Sequence, residues 1–333
     1  MVQSNFIFQQ IQLIRLFLSL SIVFWGTFAH ANDGNSTISA NGYHTCAIKP
    51  DSSAICWGDN SKGQSTPPTG TFTQISTGKG FTCTLDSNGK AVCWGQITDY
   101  NGIKLSEPTP PTDTFMQISA GSTHACALRF DGSAVCWGNN MNGNGDAYIG
   151  QATPPSGIFS QISAGGDHTC ALKPDGSVMC WGWNGFGQAN PPADIFTQIS
   201  ANWLHTCGLK TDQSIACWGY NDDGRSTPPA GQFTQISTGA LHTCALKTDG
   251  SVICWGYNGD GQIIAPAGTF VQISSGTRHS CAVKPDGSVV CWGKNTADWG
   301  GGAGQATPPI GLIVKIRDSV PDIRIEPTTL VFE

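Results

Sequence analysis

The chain has 333 residues and a formal net charge of −6, and only 12% of its residues are charged. An ordinary soluble domain has about 25% charged residues, and an acidic chain with so few Lys and Arg lacks the basic surface that nucleic acid requires. Glycine is abundant, with 42 residues, which indicates many tight turns and few exposed helices. The composition therefore argues against nucleic-acid binding and favours a turn-rich β protein.

Residues 1–31 have the pattern of a secretory signal. Arg15 precedes the apolar run 16–28, which is too short to span a bilayer. The run ends in Ala29-His30-Ala31, the small-x-small pattern of a cleavage site. We expect cleavage after Ala31 and export to the periplasm, the cell surface or the medium. A membrane anchor is the alternative, and the short run argues against it, so no membrane span is expected.

The 14 cysteines form seven pairs with the spacing C-x9-C, and none is left over. The first cysteines of successive pairs lie 37 to 44 residues apart, a period found in propellers and in helical solenoids. Each unit contains short β-branched and aromatic runs separated by Gly, Asp and Asn, without helical periodicity. The repeat is therefore a β unit, with the pairs Cys46/Cys56, Cys83/Cys93, Cys126/Cys136, Cys170/Cys180, Cys207/Cys217, Cys244/Cys254 and Cys281/Cys291.

The two cysteines of a unit are predicted to face each other across a β-hairpin. In the sixth unit, pairing Cys244 with Cys254 leaves the loop Thr248-Asp249-Gly250, and Gly250 supplies the left-handed residue that a three-residue loop needs. Counting from the loop places the cysteines at a non-hydrogen-bonded site, where Cα atoms lie about 4.5 Å apart, within disulfide reach. We expect seven disulfides, as in exported proteins. Metal binding is the alternative, but the C-x2-C knuckle of zinc sites is missing, so no metal and no cofactor is expected.

A further strand, F-x-Q-I-S, flanks the hairpins. A weaker copy opens the repeats at Ser36–Ser39, and another closes them at Ile313–Arg317. Eight such strands around seven hairpins are what a ring needs if one terminus closes against the other and leaves no open edge. We predict an all-β fold, a closed seven-bladed β-propeller over residues 32–317 with three to four strands per blade. An open solenoid is the alternative and would need capping units. The six clear copies are Phe72–Ser76, Phe115–Ser119, Phe159–Ser163, Phe196–Ser200, Phe233–Ser237 and Phe270–Ser274.

The unit G-x-x-H-T-C-A-L-K-x-D-G-S-V-x-C-W-G-x-N-x-x-G-Q, best seen at 239–262 and 166–188, resembles the repeat of the regulator of chromosome condensation family. The resemblance covers residues 36–317 and implies seven blades. It implies little about function, because the superfamily includes a nuclear exchange factor, a secreted β-lactamase inhibitor and receptor ectodomains. The paired cysteines are most similar to those of Crinkly-type receptor ectodomains. Phe81 in place of His and Ser52 in place of the turn glycine predict that units 1 and 2 are less regular.

Two residue types recur once per unit. A ring of histidines suggests a metal ring or a pH sensor, and a ring of tryptophans suggests a sugar-binding surface. A residue that recurs in every repeat usually serves the repeat itself. We therefore expect the imidazoles to bond to backbone carbonyls between blades and the indoles to fill the gaps between blades. The histidines are His44, His124, His168, His205, His242 and His279, and the tryptophans are Trp57, Trp94, Trp137, Trp181, Trp218, Trp255 and Trp292.

Three units carry an insertion after the third strand. From the second cysteine to the Ile of the next F-x-Q-I-S there are 25 or 26 residues in units 2, 3 and 7, against 19 in the other units. In a closed ring these loops lie along one arc of one face, which we call the insertion arc. It combines aromatic anchors with adaptable polar groups, as recognition surfaces do; tolerated insertions and, for the loop 139–146, calcium binding are the alternatives. The predicted partner-binding residues are Tyr100, Lys104, Asn142, Asn144, Asp146, Tyr148 and Trp299.

No catalytic motif is present: the chain has no G-x-S-x-G, no H-E-x-x-H and no phosphate-binding glycine loop. We therefore expect no enzyme, but an exported, monomeric binding scaffold whose partner is a protein not yet identified. An inhibitor or exchange-factor-like regulator of an enzyme or GTPase is one alternative, and a glycan-binding propeller is another. Residues 318–333 are expected to be a tail or the start of a β-sandwich module.

Overall fold

The computed structural model of the chain describes residues 36–99, 102–142, 147–296 and 304–316. All the regular elements in these residues are strands, and they form seven three-stranded sheets and one two-stranded ladder. This part of the chain contains no helix that could span a membrane. The predicted signal at 1–31 and the predicted tail at 318–333 lie outside the described residues.

Each three-stranded sheet comes from one repeat, and its middle strand pairs antiparallel with the strand before it and the strand after it. The ladder of β7 and β8 belongs to the insertion of unit 2. In chain order the strands are β1 (Ile38–Asn41), β2 (His44–Ile48), β3 (Ala54–Gly58), β4 (Phe72–Thr77), β5 (Phe81–Asp86), β6 (Ala91–Gly95), β7 (Ile97–Thr98), β8 (Lys104–Ser106), β9 (Gln117–Ala120), β10 (His124–Leu128), β11 (Ala134–Gly138), β12 (Gln161–Ala164), β13 (His168–Leu172), β14 (Val178–Gly182), β15 (Phe196–Asn202), β16 (His205–Lys210), β17 (Ile215–Gly219), β18 (Phe233–Thr238), β19 (His242–Lys247), β20 (Val252–Gly256), β21 (Gln272–Ser275), β22 (His279–Val283) and β23 (Val289–Gly293).

The hairpins have the predicted register. In the sixth sheet Cys244 lies opposite Cys254, three residue pairs before the loop 248–250, and Gly250 closes the turn with φ +80°. All seven bridges link the second and third strands of one sheet, with Cα–Cα distances of 4.0–4.1 Å, the short distances of a non-hydrogen-bonded antiparallel pair, and none of the 14 cysteines is free. The bridges are Cys46–Cys56, Cys83–Cys93, Cys126–Cys136, Cys170–Cys180, Cys207–Cys217, Cys244–Cys254 and Cys281–Cys291.

The two cysteines of a bridge differ in burial, a difference that the C-x9-C spacing does not predict. The first cysteine of every pair, on the middle strand, is fully buried. The second, on the outer strand, is half-buried in six pairs and buried only at Cys254. The middle strand is covered by strands on both sides, whereas the outer strand has one edge uncovered within its own sheet. The half-buried cysteines are Cys56, Cys93, Cys136, Cys180, Cys217 and Cys291.

The hairpins of units 1 and 2 have the same register as those of the other units, so the expected irregularity is absent from this part of both units. Ser52 adopts the left-handed conformation of the glycine that it replaces, with φ +66°, and Gln213 in unit 5 does the same with φ +67°. The hairpin that begins with Phe81 pairs residue for residue like its neighbours. Non-glycine residues pay a backbone cost in this region, but the cross-strand ladder and the disulfide beside it hold the turn in the same shape.

The hydrophobic core lies between neighbouring sheets. Between the fourth and fifth sheets, Leu172 packs with Phe196 and Trp218 in one buried cluster. The last and first sheets share a cluster of the same kind, which contains Val283 and Ile38. Neighbouring sheets therefore bury apolar side chains against each other, which is how a repeat too small to have a core of its own becomes stable.

Candidate functional site

The Gln and Ser of F-x-Q-I-S join the first strands of neighbouring sheets. Gln161 accepts the N–H of Ile199 at 2.8 Å and donates its amide to the carbonyl of Ile199 at 3.2 Å. Ser163 accepts the N–H of Ala201 at 2.8 Å. Side chains therefore satisfy backbone groups that would otherwise be unpaired at the edge of each sheet, and sequence reasoning missed this role.

The serine contact occurs at seven junctions. In each, the serine of one sheet accepts a backbone N–H from the first strand of the next sheet, at 2.8–3.0 Å. The donor is the residue directly after the equivalent serine of that next sheet. The seventh contact runs from Ser274 to Ala40 and joins the last sheet to the first. The same serines, with the neighbouring Ile and Gln residues, line a cavity of about 140 Å³. The F-x-Q-I-S motif thus forms the wall of a narrow polar cavity.

The six histidines form a second set of contacts between sheets. His168 Nε2 bonds to the hydroxyl of Thr206 at 2.8 Å, and that hydroxyl donates to the carbonyl of Gln188 at 3.2 Å. Because the hydroxyl has one proton and uses it on the carbonyl, the imidazole is the donor and is protonated on Nε2. The partner of each imidazole is therefore a hydroxyl group of the next sheet, and the prediction that it is a backbone carbonyl is wrong. The six pairs are His44–Thr82, His124–Thr169, His168–Thr206, His205–Thr243, His242–Ser280 and His279–Thr45.

Burial keeps the imidazoles neutral. It lowers the pKa of His44 to about 4 and the pKa of His168 to about 3, because the charged ring would lose its hydration. The pKa values of the other four are lowered for the same reason. Within the described ranges, no group of three or more His, Cys, Asp or Glu side chains is placed to hold a metal ion. The histidines serve the contacts between sheets.

One junction replaces this polar pair with an apolar pair. Phe81 occupies the histidine position in unit 2, and Ala125 occupies the accepting position in unit 3. Both are fully buried and belong to one cluster. A donor and its acceptor are absent together, so that neither is left buried without a partner. The sequence shows both departures, but only the structure shows that they belong to the same junction.

We expect a double-mutant cycle to reproduce this replacement at another junction. Thr206→Ala should destabilise the protein by about 1–3 kcal/mol, because it leaves the Nε2–H of His168 buried without an acceptor. Adding His168→Phe should restore part of that loss, as Phe81 and Ala125 coexist in the native chain. Chemical denaturation of the two single variants and the double variant measures the coupling. Additive effects of the two changes would contradict the assigned hydrogen bond.

The repeat tryptophans lie in the junctions, as predicted. Trp181 donates its indole N–H to the carbonyl of Gln151 at 2.9 Å, and the same carbonyl accepts the hydroxyl of Thr169 at 3.0 Å. Trp255 is 9% exposed and packs with Phe233. These indoles are used between sheets, which removes the observation that suggested a sugar-binding ring.

The insertion of unit 3 is closed by the same Asn hydrogen bond as a short loop. The side-chain oxygen of Asn140 accepts the N–H of Ala152 across the insertion of unit 3 at 2.8 Å. Asn184 accepts the N–H of Ala189 in a short loop at 2.9 Å. The insertion in unit 3 therefore adds residues without changing the framework beneath it.

Three of the seven predicted partner-binding residues are described. Lys104 lies in β8, is exposed and forms an ion pair with Glu107. Asn142 and Tyr148 lie in one turn of unit 3, where Asn142 N–H bonds to Ala147 and the hydroxyl of the 65% exposed Tyr148 bonds to Thr153 at 2.8 Å. The structure thus brings two of the three into one loop and leaves Lys104 in another. Tyr100, Asn144, Asp146 and Trp299 lie outside the described residues.

The unit 2 insertion also contacts its neighbour. The ammonium group of Lys62, from the short loop of unit 1, donates to the carbonyl of Gly102 at 3.2 Å. The loops of units 1 and 2 therefore meet at one end of their sheets.

A second surface, which the sequence analysis did not select, lies on the short loops of units 4 and 5. We call Trp183, Phe186, Tyr220 and Arg225 the aromatic row. Ring centroids are 5.2 Å apart between Trp183 and Phe186 and 4.8 Å apart between Phe186 and Tyr220, and the Arg225 guanidinium lies 4.8 Å from the Tyr220 ring. The signal was present in the sequence, because units 4, 5 and 6 alone have an aromatic residue directly after Trp-Gly.

These observations define the class of the protein. The family model described as Regulator of chromosome condensation (RCC1) repeat matches residues 36–64, 117–145, 159–188, 196–225, 233–262 and 270–297. The matches cover more than half of the chain, and the chain therefore belongs to this family of propeller repeats, as its resemblance predicted. No curated protein sequence matches it.

Among solved structures, the chain is similar to the Crinkly ectodomain of the receptor kinase ACR4 from Arabidopsis thaliana, with 28% identity and a TM-score of 0.63 over 79% of this chain and 97% of that chain. The ectodomain of the receptor kinase CR4 from Physcomitrella patens has 24% identity and a TM-score of 0.63 over 78% and 73%. Prp20p of Saccharomyces cerevisiae, which has binding properties to Gsp1p and histones, has 17% identity and a TM-score of 0.63 over 74% and 81%. The last two show the fold alone.

Proposed function

We propose that this protein is an exported, non-catalytic scaffold that binds a protein partner through the insertion arc. The observation that carries the proposal is the insertion of unit 3. Its base is held by the same Asn contact as a short loop, and it presents Tyr148 with 65% of its surface exposed. An exposed aromatic residue on a rigid base is suited to recognition. The family relationship supports a scaffold for protein interactions.

The proposal includes a closed ring of seven blades. Three contacts support closure because they repeat between the last and first sheets what occurs inside the chain: Ser274 with Ala40, His279 with Thr45 and the indole of Trp57 with the carbonyl of Gln305. The C-terminal segment adds a fourth, since Lys315 N–H donates to the carbonyl of Ile48 in the first sheet at 2.8 Å. In such a ring, units 7, 1, 2 and 3 are consecutive and their insertions share one arc.

Export is the second part of the proposal. Seven disulfides form and persist in an oxidising compartment. The similar Crinkly domain is the ectodomain of a receptor kinase, which supports an extracellular or periplasmic location. The domain limits proposed from the sequence complete this picture: a signal cleaved after Ala31, the propeller at 32–317 and a tail or module from 318.

Replacing the insertions tests the proposed function. We expect a variant in which the insertions of units 2, 3 and 7 are shortened to the connection of unit 1, which has no aromatic residue, to keep its seven disulfides and its thermal midpoint. The same variant should lose the protein that the native chain captures from the envelope and surroundings of the producing organism, with at least about a 100-fold loss of affinity for a central hot-spot cluster. The captured protein is identified by mass spectrometry and its affinity measured with both chains.

A matched control leaves every connection as it is and replaces Phe130 with Lys, because Phe130 is exposed and follows a second strand, at the opposite end of its sheet from the insertions. Retention of the partner by the shortened variant, at the affinity of the native chain, would refute the role of the insertion arc.

A further inference from the structure

The aromatic row occupies positions that the repeat does not reserve for aromatic residues. Phe186 is 46% exposed, and its counterparts in units 1, 5 and 6 are the charged residues Lys62, Asp223 and Asp260. A charged residue at this position is compatible with the fold in three units. The framework therefore does not explain an exposed phenylalanine in unit 4, and an exposed apolar group without a structural role points to a binding surface.

The row is held rigid by a second departure from the repeat. Arg225 replaces the Gln that ends the loop in units 1, 4 and 6. Its guanidinium is buried, donates to the carbonyl of Ala240 at 2.6 Å and pairs with Asp223. It also lies over the ring of Tyr220 at 4.8 Å, and a desolvated cation–π contact of this kind fixes the ring. Rigid aromatic side chains lose little entropy on binding, which is why they anchor interfaces.

Glycines let the neighbouring aromatic rings lie against their own loops. A Cβ on Gly185 would be 2.5 Å from Cζ2 of Trp183, so the indole lies directly across this glycine. Tyr257 lies in the same way across Gly259 in unit 6, and it is 38% exposed. In units 4 and 6 an aromatic ring therefore packs against the backbone of its own loop.

Carboxylates give the surface its charge preference. The hydroxyl of Tyr220 donates to Asp222 at 2.8 Å, which raises the pKa of Tyr220. Asp223 and Asp260 are paired with Arg225 and Arg278, whereas Asp222 is exposed and has no ion pair among the described residues. An exposed carboxylate without an ion pair, beside an aromatic surface, is complementary to a cationic side chain.

We propose that the aromatic row is an anchor site for a protein segment that places a Lys or Arg side chain beside Asp222 and an apolar side chain against Phe186. The inference rests on the proposed function only in that the partner is a protein. It assigns a second contact surface, on units 4 and 5. The row and the insertions both follow third strands, so they lie at the same end of their sheets and one partner can contact both.

Peptide selection tests this site without knowledge of the natural partner. A phage-displayed library of random peptides is selected on the immobilised, disulfide-intact chain, and the enriched peptides are synthesised and titrated. We expect a consensus with Lys or Arg beside an apolar residue, and an affinity that falls with rising salt. Phe186→Lys should weaken binding at least tenfold, and Asp222→Asn should weaken it several-fold.

The matched control is Phe130→Lys. Phe130 is 69% exposed and follows a second strand, so it lies at the opposite end of its sheet, and its replacement should leave binding unchanged. All three variants replace exposed side chains and should keep the native thermal midpoint.

Three results would overturn the inference: no enriched peptide, an enriched peptide that binds Phe186→Lys and Asp222→Asn as tightly as the native chain, or a consensus rich in Asp and Glu. Binding of neutral oligosaccharides on a glycan array, lost in Phe186→Lys, would assign the row to carbohydrate and also reject a protein segment. The variant with shortened insertions separates the two proposals, because it removes the insertion arc and retains the aromatic row.

Discussion

Acidification from pH 7 to pH 4 should destabilise the folded protein by on the order of 10 kcal/mol. Burial holds the pKa of the six histidines far below 6.5, at about 4 for His44 and about 3 for His168. The unfolded chain therefore binds protons first, as the pH falls below 6.5. Each histidine stabilises the fold above that pH, and its contribution is lost as the pH falls towards the folded pKa, at up to about 1.4 kcal/mol per pH unit.

Calorimetry of the disulfide-intact protein between pH 7.5 and pH 4.5 measures this effect as a falling thermal midpoint. The variant His168→Phe/Thr206→Ala is the control, because it keeps an apolar pair like Phe81 and Ala125 and removes one titrating group of six. Its stability should fall about one-sixth less steeply with pH. A thermal midpoint that stays constant over this range would contradict the assignment of six neutral, buried imidazoles.

Reduction of the seven disulfides should prevent the chain from refolding. Each bridge joins cysteines 10 residues apart in the sequence, and the chain-entropy estimate for such a loop is about 2.5–3 kcal/mol. Seven such contributions exceed the roughly 5–15 kcal/mol by which a typical protein is stable. The reduced chain is therefore expected to remain unfolded under conditions in which the oxidised chain folds.

The comparison is made after unfolding both forms in guanidinium, alkylating the reduced one and diluting each into buffer, with circular dichroism as the readout. Replacing one complete pair, Cys170→Ala with Cys180→Ala, is the graded version and should cost about 2–3 kcal/mol. Both cysteines are removed so that no free thiol is left to exchange. Recovery of the native spectrum by the fully alkylated chain would show that the bridges are dispensable.

The local structure of each unit could be predicted because its determinants are close together in the sequence. Cys244, Cys254 and Gly250 lie within 11 residues, and strand pairing, turn geometry and disulfide reach constrain them together. The replacement of glycine by Ser52 misled the prediction of regularity, because the cost of a left-handed serine is small compared with the ladder that surrounds it.

The contacts between sheets could not be predicted in the same detail. Gln161 and Ile199, or His168 and Thr206, are 38 residues apart, and which atoms meet depends on how Phe and Trp side chains set the offset between two sheets. Periodicity showed that the histidines serve the repeat but not that their partners are hydroxyl groups. The aromatic row differs from the repeat in composition and not in length, so loop length singles out the insertions but gives no sign of the row.

The junction between Phe81 and Ala125 restricts how the number of units in such a gene can change. Loss of unit 2 alone would place His44 against Ala125 and bury an N–H without an acceptor, and loss of unit 3 alone would place Phe81 against Thr169. Loss of both would pair His44 with Thr169 and restore an ordinary hydrogen bond. Units 2 and 3 therefore keep matched partners only when they are copied or deleted as one block, whereas loss of any other single unit brings a histidine against a hydroxyl and keeps the hydrogen bond.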